Sequence, residues 1–357
     1  MVIAKTPFRI SFFGGGTDFP DYFEEYGGKV LSTTIDKYCY VNIRHLPHFF
    51  DYKNEIIYSK IEQVKNVSDI EHPMVKNILK LFNIENLKVT YDADLPARTG
   101  LGTSSSFAVG LINAICKYKK IYDVKFKNNL SDNVYDIKKN IADLAIYVER
   151  VMCNEAGGVQ DQIAASFGGL NIINLKKQTK KSFSNIDIMN FNGYEYEVEK
   201  LNIGKEKIKR LSNNLLLYFT GIARNSFEVQ KETEKVIKKN NDNLKIMNGL
   251  VDKAYDILIK SDNYIEFGKL LDYTWELKRG LSKGISNDYI DDIYMKAKKA
   301  GAIGGKLLGA GGGGFLLFYV EDEKKLNVEN ALKDFMKVPF NFEEDGTKII
   351  FDNEENT

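Results

Sequence analysis

Residues 95–111, LPARTGLGTSSSFAVGL, place Gly100, Gly102 and four consecutive hydroxyl residues, Thr103 to Ser106, directly ahead of an apolar segment. Within that segment Ala108, Leu111, Ile112 and Ile115 recur at i, i+3, i+4 and i+7, so a helix starts near Ser104. The preceding LKVTYDADLP (87–96) reads as a strand. A glycine turn between a strand and a helix N-terminus presents free backbone N–H groups and the positive end of the helix dipole to an anion. Plain N-capping by the hydroxyls accounts for the same residues nearly as well. No GK[ST] follows, so this is not a Walker A loop, and the charge of a bound phosphate must be neutralised from elsewhere.

Two further glycine clusters flank this one, Gly14–Gly15–Gly16 and the run from Gly309 to Gly314. The late run satisfies GxGxxG, but the dinucleotide fingerprint needs a following helix, and Phe315 to Val320 reads as a strand. Backbone approach to a ligand, or close packing over another loop, remains open for it. A second strong helix spans 133–152, with Val134, Ile137, Ile141, Leu144, Ala145, Val148 and Val151 at helical spacing, and stops before Gly157 and Gly158. Glu149 near its end and Asp161 in GGVQDQIAASFGG are carboxylates that can serve a phosphate site; an exposed partner of Arg150 and a capping aspartate are the plainer readings.

Strand-like pieces at 4–13, 28–35, 37–46 and 168–175 alternate with helices in the first half. The polar region 176–200 reads as its end, giving domains 1–200 and 201–357. The second half opens with the strand NNLLLYFTG (213–221), continues in amphipathic segments at 227–261 and 264–280, and adds a helix capped by Ser286 or Asn287. A helix at about 328–336 and a hairpin at Asp345-Gly346 complete an α+β chain.

With 50 Lys and Arg against 49 Asp and Glu, the net charge is +1, so no strong field points to nucleic acid or an anionic membrane. A small molecule is the expected partner. The three cysteines lack metal or disulfide spacing, and His45 and His48 have no companion ligands. No signal-peptide pattern or membrane span is evident, and the expected location is the cytoplasm.

Three ordered stretches, KTPFRISFFGGGTDFPDY, PARTGLGTSSSFAVG and KLLGAGGGGFLLF, together resemble the motifs of the galactokinase, homoserine kinase, mevalonate kinase and phosphomevalonate kinase (GHMP) superfamily. The resemblance implies a ribosomal-S5-like N-terminal domain, a ferredoxin-like C-terminal domain and an active site in the cleft between them. It implies ATP bound along Arg98, Gly100, Leu101, Gly102, Thr103, Ser104 and Ser105, and Mg²⁺ held by Thr103 and Glu149. Asp161 would be the catalytic aspartate, Arg9 the basic residue facing it, and Asp18 the acidic residue that holds sugar hydroxyls. Gly15, Gly16, Gly311 and Gly312 would approach the substrate through backbone. Thr103 stands where most members have serine, which preserves the hydroxyl.

GGGTD, TGIARNS, WELKRGLSKGISN and GGKLLGAGGGGFLLFY resemble the branch that phosphorylates heptose 7-phosphates. The implied reaction is ATP-dependent phosphorylation of the anomeric hydroxyl of D-glycero-D-manno-heptose 7-phosphate, by a monomer or homodimer, for surface polysaccharide synthesis. A sugar phosphate needs cations beyond those that ATP uses, and Arg224, Lys278, Arg279 and Lys283 are the candidates. Other sugar kinases of the superfamily are the nearest alternative. A non-catalytic sensor and a nicotinamide enzyme are further ones.

Overall fold

The computed structural model describes residues 1–122, 134–179, 182–183, 188, 191, 193–222, 231–232, 234–235, 241–282 and 284–353. Two long antiparallel strands, β1 (Val2–Phe13) and β2 (Gly28–His45), form its spine, joined through the short helix α1 (Pro20–Tyr26). At 18 residues β2 is long enough to serve two partners. Its first part pairs with β6 (Leu170–Leu175) and its second with β5 (Leu87–Ala93). The hairpin β3 (Asn54–Ile57) and β4 (Ile61–Val64) adds to β5 in parallel, and β7 (Tyr196–Lys200) adds to β6. Helices α2 (Pro73–Leu81), α3 (Thr103–Tyr118), α4 (Val134–Ile146) and α5 (Gln160–Phe167) belong to this half. The apolar positions expected on α3, Ala108, Leu111, Ile112 and Ile115, are all buried.

The second sheet is antiparallel, in the order β11 (Met336–Lys337), β8 (Leu215–Phe219), β10 (Phe315–Tyr319), β9 (Gly304–Leu307). The helices of this half are α6 (Lys205–Asn213), α7 (Asn241–Lys260), which packs against β1 and β2 of the first sheet, α8 (Ile265–Arg279), α9 (Asp288–Ala300) and α10 (Asp322–Ala331). Asn287 caps α9, accepting from the N–H of Ile290. The architecture is α+β, as expected. The helix expected at about 328–336 starts earlier, because Asp322 and Glu323 suit a first turn. It ends at Ala331, and the chain then extends to pair Met336 and Lys337 with β8.

Asp345-Gly346 does not form a hairpin. The flanking strands β12 (Phe342–Glu343) and β13 (Lys348–Asp352) pair instead with β2 and β1. The Tyr38 hydroxyl donates to Glu343, and the N–H of Thr347 donates to Ala165 O at 2.9 Å, holding the turn on the first half. The span 201–357 therefore includes a C-terminal piece that completes the first sheet.

A shared core joins the halves. Phe12 and Phe13 of β1 meet Phe267 of α8 edge-on, with ring centroids 5.4 and 5.1 Å apart, pairs worth about 1 kcal/mol each beyond the area they bury. No described helix is long and apolar enough to cross a membrane.

Candidate active site

A cleft of about 1000 Å³ opens between the halves, and the N-terminus of α3 points into it. No side chain caps this helix, whose N-cap is Gly102. The first-turn N–H groups are thus left for a ligand, as an anion site requires. Gly100, Gly102, Thr103, Ser104 and Ser105 line the cleft beside the exposed Arg98. The Arg98 N–H donates to Thr103 Oγ1 at 3.3 Å. The Leu101 side chain is fully buried in the core and does not line the cleft, which leaves its backbone as the part that can face a ligand.

The late glycine run packs over this loop. A Cβ on Gly314 would collide with the Thr99 carbonyl, and one on Gly309 with Gly100. Gly311 and Gly312 sit against Ile285, whose carbonyl accepts the Gly312 N–H at 2.9 Å; neither residue lines the cleft. Of the two roles left open by the sequence, close packing over another loop is the one observed.

Arg9, on β1, faces Asp161 in the first turn of α5, where the helix dipole favours a carboxylate. Nε donates to Asp161 Oδ1 and Nη2 to Oδ2, both at 2.8 Å. The remaining arm, Nη1, donates to Gly100 O at 2.6 Å, and the Arg9 N–H to Leu101 O at 3.0 Å. One guanidinium therefore ties the carboxylate to the glycine loop.

Glu149 stands in a wide π-helical turn, Tyr147–Met152, that continues α4. Bonds such as Cys153 N–H to Val148 O, at 2.8 Å, define the turn, and such turns re-aim side chains at functional sites. Glu149 is 4% exposed. Ser105 Oγ donates to Oε2 at 2.8 Å and Gln162 Nε2 donates to the same oxygen, leaving buried Oε1 with no partner among the described residues. Burial, reinforced by nearby Glu155, pushes the Glu149 carboxyl up to about 8. Burial also raises Glu155, with Arg98 opposing the rise. An orphaned carboxylate oxygen next to the first turn of α3 fits the donor set a hard divalent cation requires. The hydroxyl that meets Glu149 is that of Ser105; Thr103 Oγ1 accepts from Arg98 instead.

On the other side of Arg9 and Asp161, Asp18 accepts the N–H of Gly16 at 2.9 Å and of Gln160 at 3.3 Å. It is buried, and desolvation raises its carboxyl despite those bonds. Gly158 leaves room for it, since a Cβ there would collide with the Asp18 carboxylate. Gly15 and Gly16 line the same region. Lys278 enters the cleft from α8 and Lys306 from β9. Lys306 is not evident from the sequence, because a lysine within an apolar strand motif carries no signal apart from its neighbours. Arg279 lies elsewhere, donating to Glu276 and Asp291. Arg224 and Lys283 lie outside the described residues.

A third wall is aromatic. Tyr58, His72, Tyr91 and Phe107 line the cleft beside the start of α3, with Tyr91 and Phe107 centroids 4.9 Å apart and His72 and Phe107 5.4 Å apart. These residues come from four separated segments, the turn after β3, the cap of α2, β5 and α3, and no local pattern announces their convergence.

The GHMP kinases N terminal domain family matches residues 71–169, and the GHMP kinases C terminal family matches residues 257–338. The chain belongs to the GHMP kinase family. It is a phosphotransferase, and kinases of this family take ATP as phosphate donor. D-glycero-alpha-D-manno-heptose 7-phosphate kinase of Campylobacter jejuni is 30% identical over 357 residues, covering 96% of this kinase and 97% of that one. Solved structures share the fold across nearly the whole chain. A D-glycero-D-manno-heptose 1-phosphate kinase from Bacteroides thetaiotaomicron has TM-score 0.73 at 24% identity, covering 99% of this kinase and 100% of that chain. The mevalonate kinase of Methanococcus jannaschii has TM-score 0.64 at 21% identity, covering 95% and 98%.

Proposed function

We propose that this kinase transfers the γ-phosphoryl group of ATP to the anomeric hydroxyl of D-glycero-D-manno-heptose 7-phosphate, giving the 1,7-bisphosphate. The observation that carries the reading is the arrangement around the Arg9–Asp161 pair, with an uncapped helix start on one side and Asp18 with two lysines on the other. The near full-length likeness to the Campylobacter heptose 7-phosphate kinase supports the choice of acceptor.

The donor phosphates lie along the N–H groups of Gly102 to Ser105, with the base against Tyr58, His72, Tyr91 and Phe107. Glu149, whose Oε1 has no other partner among the described residues, and hydroxyls of the first turn of α3, Thr103 among them, would hold Mg²⁺. When bound, it neutralises the phosphate oxygens. Ser105 and Gln162 fix the Glu149 carboxylate by binding its other oxygen. Asp18 and the backbone near Gly16 orient the sugar.

Asp161 accepts a hydrogen bond from the attacking hydroxyl while Arg9 prevents the carboxylate from rotating. The hydroxyl oxygen forms the bond to the γ-phosphorus as the bond to the β,γ-bridging oxygen breaks. ADP leaves with that electron pair, and the hydroxyl proton passes to Asp161 and on to solvent. Because phosphoryl transfer has a loose transition state, alignment and charge neutralisation contribute more than basicity.

The test is a coupled ADP-release assay over heptose 7-phosphate, mannose, fucose and galactose. The reading predicts that kcat/KM is highest for heptose 7-phosphate. Higher efficiency on an unphosphorylated hexose would reject it.

A further inference from the structure

We infer that Lys278 and Lys306 together bind the phosphate group that the acceptor already carries, the group that stays on the sugar throughout the reaction. This rests on the proposal that the acceptor is a sugar phosphate. It adds where that phosphate sits and which residue, Lys306, completes the site.

Consider the charges on this side of the cleft. Arg9 is committed to Asp161 through two hydrogen bonds. Lys278 Nζ donates to the carbonyls of Leu307, at 3.2 Å, and Gly309. Lys306 Nζ donates to the carbonyl of Phe12 at 2.8 Å. Neither ammonium forms an ion pair with a described residue. Asp18 is the carboxylate that offsets both from a distance, and its oxygens already accept from Gly16 and Gln160. Three cations therefore face two carboxylates, with Arg9 and Lys306 buried and Lys278 half-buried.

A buried ammonium without a counter-ion is costly unless an anion arrives. Each ammonium has three N–H donors. Lys278 uses two on carbonyls and Lys306 one, so both retain donors for a ligand. Burial depresses both groups; Arg9 adds to the effect on Lys278, which stands at about 8, and Lys278 and Arg9 add to that on Lys306, as expected for cations whose partner is a ligand.

The position separates this anion from the donor's phosphates. Lys278 and Lys306 interact electrostatically with Arg9, Asp18 and each other. Glu149, at the α3 end, interacts with Glu155 and Asp161. Both lysines come from the second half of the chain, whereas the phosphate loop comes from the first. The Arg9–Asp161 pair stands between the two groups, as a hydroxyl-to-phosphate transfer with a remote acceptor phosphate demands.

The full-length enzyme and its Lys278→Gln and Lys306→Gln variants are assayed at saturating ATP with D-glycero-D-manno-heptose 7-phosphate and with the unphosphorylated heptose. The wild type is expected to favour the phosphorylated sugar. Each variant loses about thirtyfold of that preference or more, mainly through KM for the sugar phosphate, as the loss of a charge-assisted hydrogen bond implies. KM for ATP moves less than threefold. Equal losses on both sugars, or a matching rise in KM for ATP, would overturn the inference, because the lysines would then serve the transferred phosphate or the fold alone. Should neither variant fold, competition decides. Inorganic phosphate inhibiting the wild type competitively against the sugar phosphate supports the site, and inhibition competitive only against ATP rejects it. If the wild type itself shows no preference, it is the choice of acceptor that fails; if it keeps the preference and so do both variants, only the lysine site fails.

Discussion

Gly309 lies directly on Gly100: a Cβ built on Gly100 would approach the Leu308 carbonyl oxygen to 2.5 Å and the Gly309 Cα to 3.1 Å. Backbone of the second half thus braces the phosphate loop of the first, and no side chain fits between them. Gly309→Ala is expected to destabilise the fold by about 3 kcal/mol, combining backbone collision with strain at its φ of +69°. It should also weaken ATP binding at least tenfold in calorimetry. Gly204→Ala is the control, since its φ is +82° and ψ 146° but nothing lies within 4 Å of the added methyl; it should cost about 2 kcal/mol of backbone strain and leave ATP affinity intact. Equal effects at the two positions would refute the bracing role.

Arg9 and Asp161 act as one unit in this account. Asp161→Asn should lower kcat by about 10²–10⁴-fold with ATP affinity within threefold of wild type. Arg9→Met should lower kcat comparably, and the double variant should be little worse than either alone, because each single change already breaks the pair. Fully multiplicative losses would show that the two residues contribute independently.

Metal-free Glu149 should reveal itself through stability. Its carboxyl stands near 8 in the folded chain against an ordinary 4.5. Between those values the folded state keeps a proton that the unfolded state releases, so stability falls as pH rises through the window. Glu149→Gln removes the effect. Between pH 5 and 8.5 the wild type should lose about 3 °C or more of Tm relative to the variant, and Mg²⁺ added at the higher pH should stabilise the wild type alone. Parallel pH slopes in the two proteins would contradict the buried, cation-seeking carboxylate.

Much of this site was legible because its chemistry depends on short-range features. The start of α3 followed from apolar spacing behind a glycine turn, and the strand after Gly314 excluded a dinucleotide fold. What escaped depends on tertiary approach. Lys306 is an ordinary residue of a strand motif until β9 brings it beside Lys278. The π turn that aims Glu149 inward has the same apolar period as the helix it continues. The return of β12 and β13 to the first sheet rests on contacts such as Tyr38 with Glu343, 305 positions apart.

The aromatic wall yields a prediction on the donor side. Phe107→Leu keeps an apolar side chain on α3 but removes the ring facing His72 and Tyr91. KM for ATP should rise roughly five- to tenfold, with KM for the sugar phosphate unchanged. A rise confined to the acceptor would place the base elsewhere.

The phosphoryl group passes, in the proposed reaction, to the anomeric oxygen of a sugar phosphate. Proton-coupled ³¹P NMR of the reaction with ATP and D-glycero-D-manno-heptose 7-phosphate tests it directly. The expected spectrum shows loss of ATP signals, growth of ADP, persistence of the original sugar phosphate resonance and a new phosphate doublet coupled to the anomeric proton. A new resonance coupled to any other sugar proton, or ADP formed with only free phosphate, would contradict it.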